Sequence, residues 1–268
     1  MKNEDIPRHS LTFHLGTNRE VTVSGDGRQE TRIVSYDRDD LKVTGKHLDF
    51  LKDPRFQHAY AKGAASDHKL GAARGEDSDI HIEYRVYMLL WAAEHALKLP
   101  GDFVECGVNT GICSLAIYEY TDLGNSDRQF YLFDTFNGIP ETQMSEKETK
   151  TRRVYNEMLY EECYQQTLQS FSEYPNAQLV RGEVPDSLHQ VDIDEVAYLH
   201  LDMNIAFPEL EALRHFWPKM VAGGIVMLDD YAWHGHAEQK AAMDAFAESV
   251  HTPICTLPTG QGMLIKTA

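Results

Sequence analysis

Two alternating rhythms run through the polar and apolar positions of this chain. Short apolar runs of strand length occupy residues 102–106, 130–133, 178–181, 196–201 and 225–228. Between them, apolar residues recur every three or four positions. Ile82, Val86, Leu89, Leu90, Ala93 and Leu97 form one helical stripe, ended by Pro100-Gly101. Residues 112–120 carry Ile112, Leu115 and Ala116 on one face. Leu210, Leu213, Trp217 and Met220 form a further stripe, and Met243, Phe246, Ala247 and Val250 another. Strands alternating with helices predict an α/β protein with a doubly wound, mostly parallel sheet. The tail, residues 253–257 and 262–266, adds a closing antiparallel hairpin, which brings the sheet to seven strands.

The flanking segments follow a different pattern. Residues 1–45 read as an N-terminal polar arm in which Leu11 to Leu15, Val21 to Val23 and Arg32 to Val34 alternate around Gly16 and Gly25-Asp26-Gly27. Such a meander cannot stand alone, so it is expected to pack on the main domain, residues 46–268, or on another subunit of a homo-oligomer. A helical pattern over residues 40–60 (Leu41, Leu48, Leu51, Phe56) is broken at Asp53-Pro54, and residues 63–79 read as a loop over the site. Residues 141–172 form an excursion that covers the substrate side. Its charged first part, 141–153, reads as a solvated surface, and residues 154–171 regain a helical pattern.

Charge narrows the range of partners. A formal charge of −17 repels phosphate backbones and no basic cluster offsets it, which argues against nucleic acid and favours a neutral or cationic small molecule. Cys106, Cys113, Cys163 and Cys255 form no C-x-x-C pair and read as reduced thiols of a cytoplasmic protein. Residues 1–10 lack a signal-peptide segment, and the most apolar helix contains Glu94, His95 and Lys98, so no membrane anchor is expected.

The chemistry concentrates where strands end. Asp102-Phe103-Val104-Glu105-Cys106-Gly107-Val108-Asn109-Thr110-Gly111 reads as strand, glycine turn and helix start. Gly107 and Gly111 present bare backbone beside free helix N–H groups, which suits part of a nucleotide-type cofactor, although an ordinary βα turn reads the same way. Gly-x-Gly-x-x-Gly is absent. Asp134 ends the second strand about 20 residues beyond Gly111, the offset at which an acid takes ribose hydroxyls. The turn Gly182-Glu183-Val184 is positioned to reach an adenine edge. Asp202 and Asp229-Asp230 end the fourth and fifth strands. Carboxylates gathered on one side of a parallel sheet repel one another, and a hard divalent cation is the simplest neutraliser: Mg²⁺ first, Ca²⁺ and Mn²⁺ open. His234 and His236 follow in a glycine loop and offer a nitrogen ligand or a base.

From about residue 80 to the C-terminus the sequence resembles the class I S-adenosylmethionine-dependent methyltransferases. Within them it resembles the macrocin O-methyltransferase family, which methylates sugar hydroxyls of macrolides and related antibiotics. Three runs carry the resemblance: Gly101-Asp102-Phe103-Val104-Glu105-Cys106-Gly107-Val108, Phe133-Asp134-Thr135-Phe136-Asn137-Gly138-Ile139-Pro140, and Gly223-Gly224-Ile225-Val226-Met227-Leu228-Asp229-Asp230-Tyr231. It implies a Rossmann-like methyltransferase fold in natural-product biosynthesis. It also implies that Glu105, Gly107, Asn109, Thr110 and Gly111 hold the methionine part of S-adenosylmethionine. Asp134 and Phe136 then lie at the nucleoside, Gly182, Glu183 and Val184 near the adenine, and Asp202, Asp229 and Asp230 on Mg²⁺. Where such enzymes show Asp-Gly-Asp and an aromatic residue, this chain has Asp202-Met203-Asn204.

The expected reaction moves a methyl group to a sugar hydroxyl, with Asp202 as metal ligand and base and His234 in reserve. A catechol or other vicinal diol is an alternative acceptor. A nicotinamide-dependent oxidoreductase and a non-catalytic scaffold are the other readings.

Overall fold

In a computed structural model, which describes residues 11–14, 19–23, 29–66 and 80–267, the chain divides into the units Met1–Lys52 and Asp53–Ala268. The first is an antiparallel sheet of β1 (Leu11–His14), β2 (Arg19–Val23), β3 (Gln29–Arg38) and β4 (Leu41–Thr44), paired in sequence order. The helical pattern read over residues 40–60 is corrected here. Leu41–Thr44 is a strand, and helix α1 (Pro54–Ala64) begins at the dipeptide expected to break it. The physical reason is local: the Asp53 carboxylate accepts the Arg55 N–H at 2.9 Å, and proline at the first helical position has no hydrogen bond to lose. The loop read over residues 63–79 lies, from residue 67 on, outside the described residues.

The second unit continues with α2 (Glu83–Ala96), β5 (Asp102–Cys106), α3 (Ile112–Thr121) and β6 (Phe130–Asp134). Then come α4 (Glu146–Leu159), α5 (Tyr164–Ser170), β7 (Ala177–Arg181), β8 (Val196–Leu201), α6 (Ala206–Phe216), β9 (Met220–Leu228), α7 (Ala237–Ser249), β10 (Cys255–Thr256) and β11 (Gly262–Ile265). The seven strands lie in the order β10-β11-β9-β8-β5-β6-β7. From β9 to β7 the pairings are parallel, and β11 and β10 add the antiparallel hairpin. The chain lays down β5, β6 and β7 toward one edge and then returns to β8 on the other side of β5. The reversal therefore sits between β5 and β8, where open α/β sheets leave a crevice.

Alternation along the strands separates two environments. Val104, Cys106, Leu199, Leu201, Val226 and Leu228 share an apolar core with Leu213 and Phe216 of α6 and Met243 of α7. On the other face Phe103, Phe130, Tyr198 and Tyr118 of α3 stack with ring centroids 5.4 to 6.4 Å apart. Two residues beyond Phe103 and Tyr198 come Glu105 and His200, in register with each other on that second face and 1% and 0% exposed. Among the described residues no helix is long and apolar enough to cross a membrane.

Gly63 lets α1 lie directly on α3, since a Cβ there would overlap the Ile112 carbonyl oxygen. Gly63→Val is therefore expected to destabilise the unit by about 1–3 kcal/mol. Thermal denaturation should show a melting temperature lower by about 2–4 °C for each kcal/mol, and an unchanged one would contradict this packing.

Candidate functional site

At the carboxyl ends of the parallel strands lies a cavity of about 950 Å³ of free space, open mouth included. Glu105, Gly107, Asn109, Asp134, Phe136, Gly182, Val184, Asp202, Asp229 and Asp230 all line it. The other residues singled out from sequence sit elsewhere. Thr110 is buried with its hydroxyl 2.9 Å from that of Ser66, and Gly111 starts α3 in the left-handed conformation (φ 95°). Glu183 accepts the Gln143 amide at 3.3 Å. His234 is exposed; the histidine beside the acids is His236, whose Nδ1 lies 3.5 Å from Asp230 Oδ2.

The glycine turn is held from the neighbouring strand. Asp134 Oδ2 accepts the N–H groups of Val108 (2.6 Å) and Asn109 (2.7 Å), and Oδ1 accepts that of Phe136 (2.6 Å). The Thr135 hydroxyl lies 2.6 Å from the Gly138 carbonyl oxygen and 3.3 Å from Oδ1; with its one proton on the nearer carbonyl, Oδ1 keeps a lone pair for a further donor. Gly107 must be glycine, because φ is 94° and a Cβ would overlap the carbonyl oxygen of Asp202. The turn after β5 thus lies directly against the end of β8.

A chain of alternating charge runs beneath the cavity. Glu105 accepts hydrogen bonds from the Ser114 hydroxyl of α3 and from His200 Nδ1 at 3.0 Å. His200 Nε2 lies 3.6 Å from Asp229 Oδ1, an ion-pair distance. Asp229 Oδ2 accepts Arg85 Nη1 of α2 at 2.7 Å, Gln261 Nε2 donates to Oδ1 at 2.9 Å, and the Arg85 guanidinium stands 5.3 Å from the Trp233 ring centre. Burial opposes charge on His200, yet Asp229 and Glu105 push its pKa up to about 10, so it is an imidazolium. Burial also acts against Asp229, but Arg85 and His200 hold its carboxyl well below the usual range. Asp202 and Asp230 are compensated less fully: His200 and Arg85 act on the first and His236, Arg85 and Arg152 on the second, but burial outweighs them. Burial, followed by Asp229 and Asp230, raises the Asp202 pKa well above its ordinary value. Burial raises that of Asp230 as well, and no lysine or arginine makes an ion pair with either among the described residues.

Arg85, His200, Tyr160 and Asn204 escaped the sequence reading. A lone cation inside an apolar stripe or strand, such as Arg85 or His200, is the signal that could have found the first two. The Asn204 side-chain amide bridges the Tyr160 hydroxyl (3.3 Å) and Asp202 Oδ1 (3.4 Å), and both Asn204 and Tyr160 line the cavity. The excursion departs further from expectation. In α4 the apolar Val154, Tyr155 and Met158 are exposed, whereas Glu148 and Arg152 are buried. Glu148 accepts the Ala206 N–H at 2.7 Å, and Arg152 donates to the carbonyls of Asn204 (3.2 Å) and Gly235 (2.8 Å). Polar contacts to the loop after Asp202 thus set the orientation of this helix. His200→Leu leaves Glu105 and Asp229 without their shared cation, and urea unfolding followed by tryptophan fluorescence should show a loss of about 3 kcal/mol or more; wild-type stability would contradict this account.

Residues 88–259 match the family model described as macrocin-O-methyltransferase (TylF). Over 145 residues the chain is 28% identical to the demethyldecarbamoylnovobiocin O-methyltransferase of Streptomyces niveus, covering 50% of this chain and 54% of that protein. Over 165 residues it is 26% identical to the 8-demethyl-8-(2,3-dimethoxy-alpha-L-rhamnosyl)-tetracenomycin-C 4'-O-methyltransferase of Streptomyces olivaceus, covering 57% of this chain and 58% of that protein. The chain therefore spans just over half the length of these curated relatives. The solved structure of the O-methyltransferase NovP shares the fold, with a TM-score of 0.66 at 22% identity over 80% of this chain and 98% of that one. The family match takes in more than half of the sequence, including the glycine turn and every acid at the cavity, and the chain belongs to the macrocin O-methyltransferase (TylF) family.

Proposed function

We propose that this protein is an S-adenosylmethionine-dependent O-methyltransferase that uses a divalent cation, Mg²⁺ first, and acts on a hydroxyl of a sugar-bearing small molecule. One observation carries the reading: a glycine turn suited to a nucleotide-type cofactor opens into the same cavity as the carboxylates of Asp202, Asp229 and Asp230. The family and the rhamnosyl acceptor in the name of one relative support the sugar class.

The residues fit both groups. Gly107 and Asn109 line the cavity where the methionine part would lie, Asp134 keeps a lone pair for a ribose hydroxyl, and Phe136, Gly182 and Val184 wall the nucleoside end. At the other end Asp202, Asp229 and His200 each bring one donor atom within 4.8 Å of the others, with Asp230 the next residue after Asp229, and the carboxylate oxygens among them suit a hard cation. Asp230 Oδ2 is buried without a hydrogen-bond partner, His236 Nδ1 standing 3.5 Å away, and Asp202 and Asp230 are the two carboxylates of this cluster on which burial outweighs the protein's own cations.

When bound, S-adenosylmethionine supplies the methyl group and the cation lowers the pKa of the acceptor hydroxyl. Asp202, at the cavity wall with Asn204 on its Oδ1, is the carboxylate placed to take the hydroxyl proton. Asn204 steadies Asp202 Oδ1 and presents the Tyr160 hydroxyl to the acceptor side. Arg85 and Gln261 hold Asp229 still. His236 stands nearer the acids than His234, with Nδ1 donating to Gln239 Oε1 and facing Asp230.

Calorimetry should show S-adenosylhomocysteine binding to wild type and to Asp202→Asn alike, while Mg²⁺ binding is lost in the variant. Methyl transfer to rhamnosylated acceptors, read as S-adenosylhomocysteine released, should fall by about 10²-fold or more in Asp202→Asn. EDTA should abolish transfer by the wild type and added Mg²⁺ should restore it. An Asp202→Asn protein that works in EDTA would sink the reading.

A further inference from the structure

Two side-chain polar atoms on residues lining the cavity are buried with no hydrogen-bond partner among the described residues, Asp230 Oδ2 and Gln143 Oε1. They belong to opposite ends of the sheet: Asp230 follows β9, whereas Gln143 is bonded to the turn after β7. The acid cluster accounts for Asp230. It does not account for Gln143.

The partners of Gln143 fix which way its amide points. Nε2 lies 2.8 Å from the Val184 carbonyl oxygen and 3.3 Å from Glu183 Oε2, and since both groups only accept, that end is the NH₂. Oε1 is therefore the end left over. The residue itself is pinned in a short 3₁₀ turn, Glu141–Gln143, with its backbone N–H on the Pro140 carbonyl at 3.1 Å. Phe136, Ile139, Pro140 and Val184 supply apolar walls on the same side of the cavity. A buried acceptor shut off from water in such walls is costly until an N–H group enters. A slot of this kind suits a flat heteroaromatic ring with apolar faces and a donor on its edge.

We propose that Gln143 is a specificity-determining residue whose Oε1 accepts a hydrogen bond from the exocyclic 6-amine of the adenine ring. The inference rests on the S-adenosylmethionine reading above and goes beyond it. The turn after β7 forms the wall, but the base is read by a residue of the excursion between β6 and β7. A ring with a 6-oxo group sets oxygen against Oε1 and is rejected, because a site built to bond an N–H is left unpaired by an analogue that lacks it.

The test compares S-adenosylhomocysteine with S-inosylhomocysteine, its 6-oxo counterpart, by calorimetry. Wild type should bind the adenosyl compound at least about tenfold more tightly. In Gln143→Met, which keeps the bulk and loses the acceptor, the ratio should fall to about threefold or less, chiefly through weaker binding of the adenosyl compound. A ratio unchanged from wild type in a variant that melts normally overturns the proposal. Should Gln143→Met fail to fold, wild type alone decides: the purine-riboside analogue, which lacks the 6-amine, should bind about tenfold more weakly, and equal affinity overturns the proposal. Tight but indiscriminate binding by wild type defeats only this inference, whereas no binding of any of the three compounds removes the cofactor reading and this inference together.

Discussion

Carboxylates drawn together in a poorly hydrated crevice must be offset by positive charge, and the ordering of this site follows from that constraint. His200 meets it at the centre. Fully buried near the carboxyl end of β8, it stands between Glu105 and Asp229 and carries a proton because both flank it. Arg85 offsets Asp229 from the opposite side. The acids less fully offset, Asp202 and Asp230, lie at the cavity wall, where a bound cation can supply further charge. The protein neutralises the acids that build the floor and leaves exposed to ligand those at the mouth.

The sheet makes this arrangement possible by dividing its two faces. Toward α6 and α7 the strands send Val104, Cys106, Phe133, Leu199, Leu201, Val226 and Leu228, and that face holds the sheet together by apolar packing. Toward α3 the same strands send aromatic rings and then, two residues further along, Glu105 and His200. From the helical layer Ser114 of α3 reaches Glu105, and Arg85 of α2 reaches Asp229. The charged chain therefore forms where the reversal between β5 and β8 opens the sheet, with Gly107 allowing the glycine turn to press against Asp202. Across the mouth α4 follows the opposite logic to the core: its buried residues are Glu148 and Arg152, and they grip the loop that begins at Asp202. Displacing α4 would release the contacts to Asn204 and Ala206.

The sequence by itself determined the order of strands and helices, the glycine turn, and the acids that end the strands. Periodicity, turn chemistry and strand ends are written in residues a few positions apart, and a parallel sheet brings every strand end to one side. It could also mislead locally: Asp53-Pro54 looked like the interruption of a helix and is the start of one, because capping and proline at the first position act the same way on paper as a break. Only the tertiary structure decided which acids are compensated and which are left open. Arg85 meets Asp229 across 144 residues of chain, Glu105 meets His200 across 95, and Gln143 reaches Val184 across 41. Charge pairing depends on distance in space, and no pattern of neighbours along the chain encodes it.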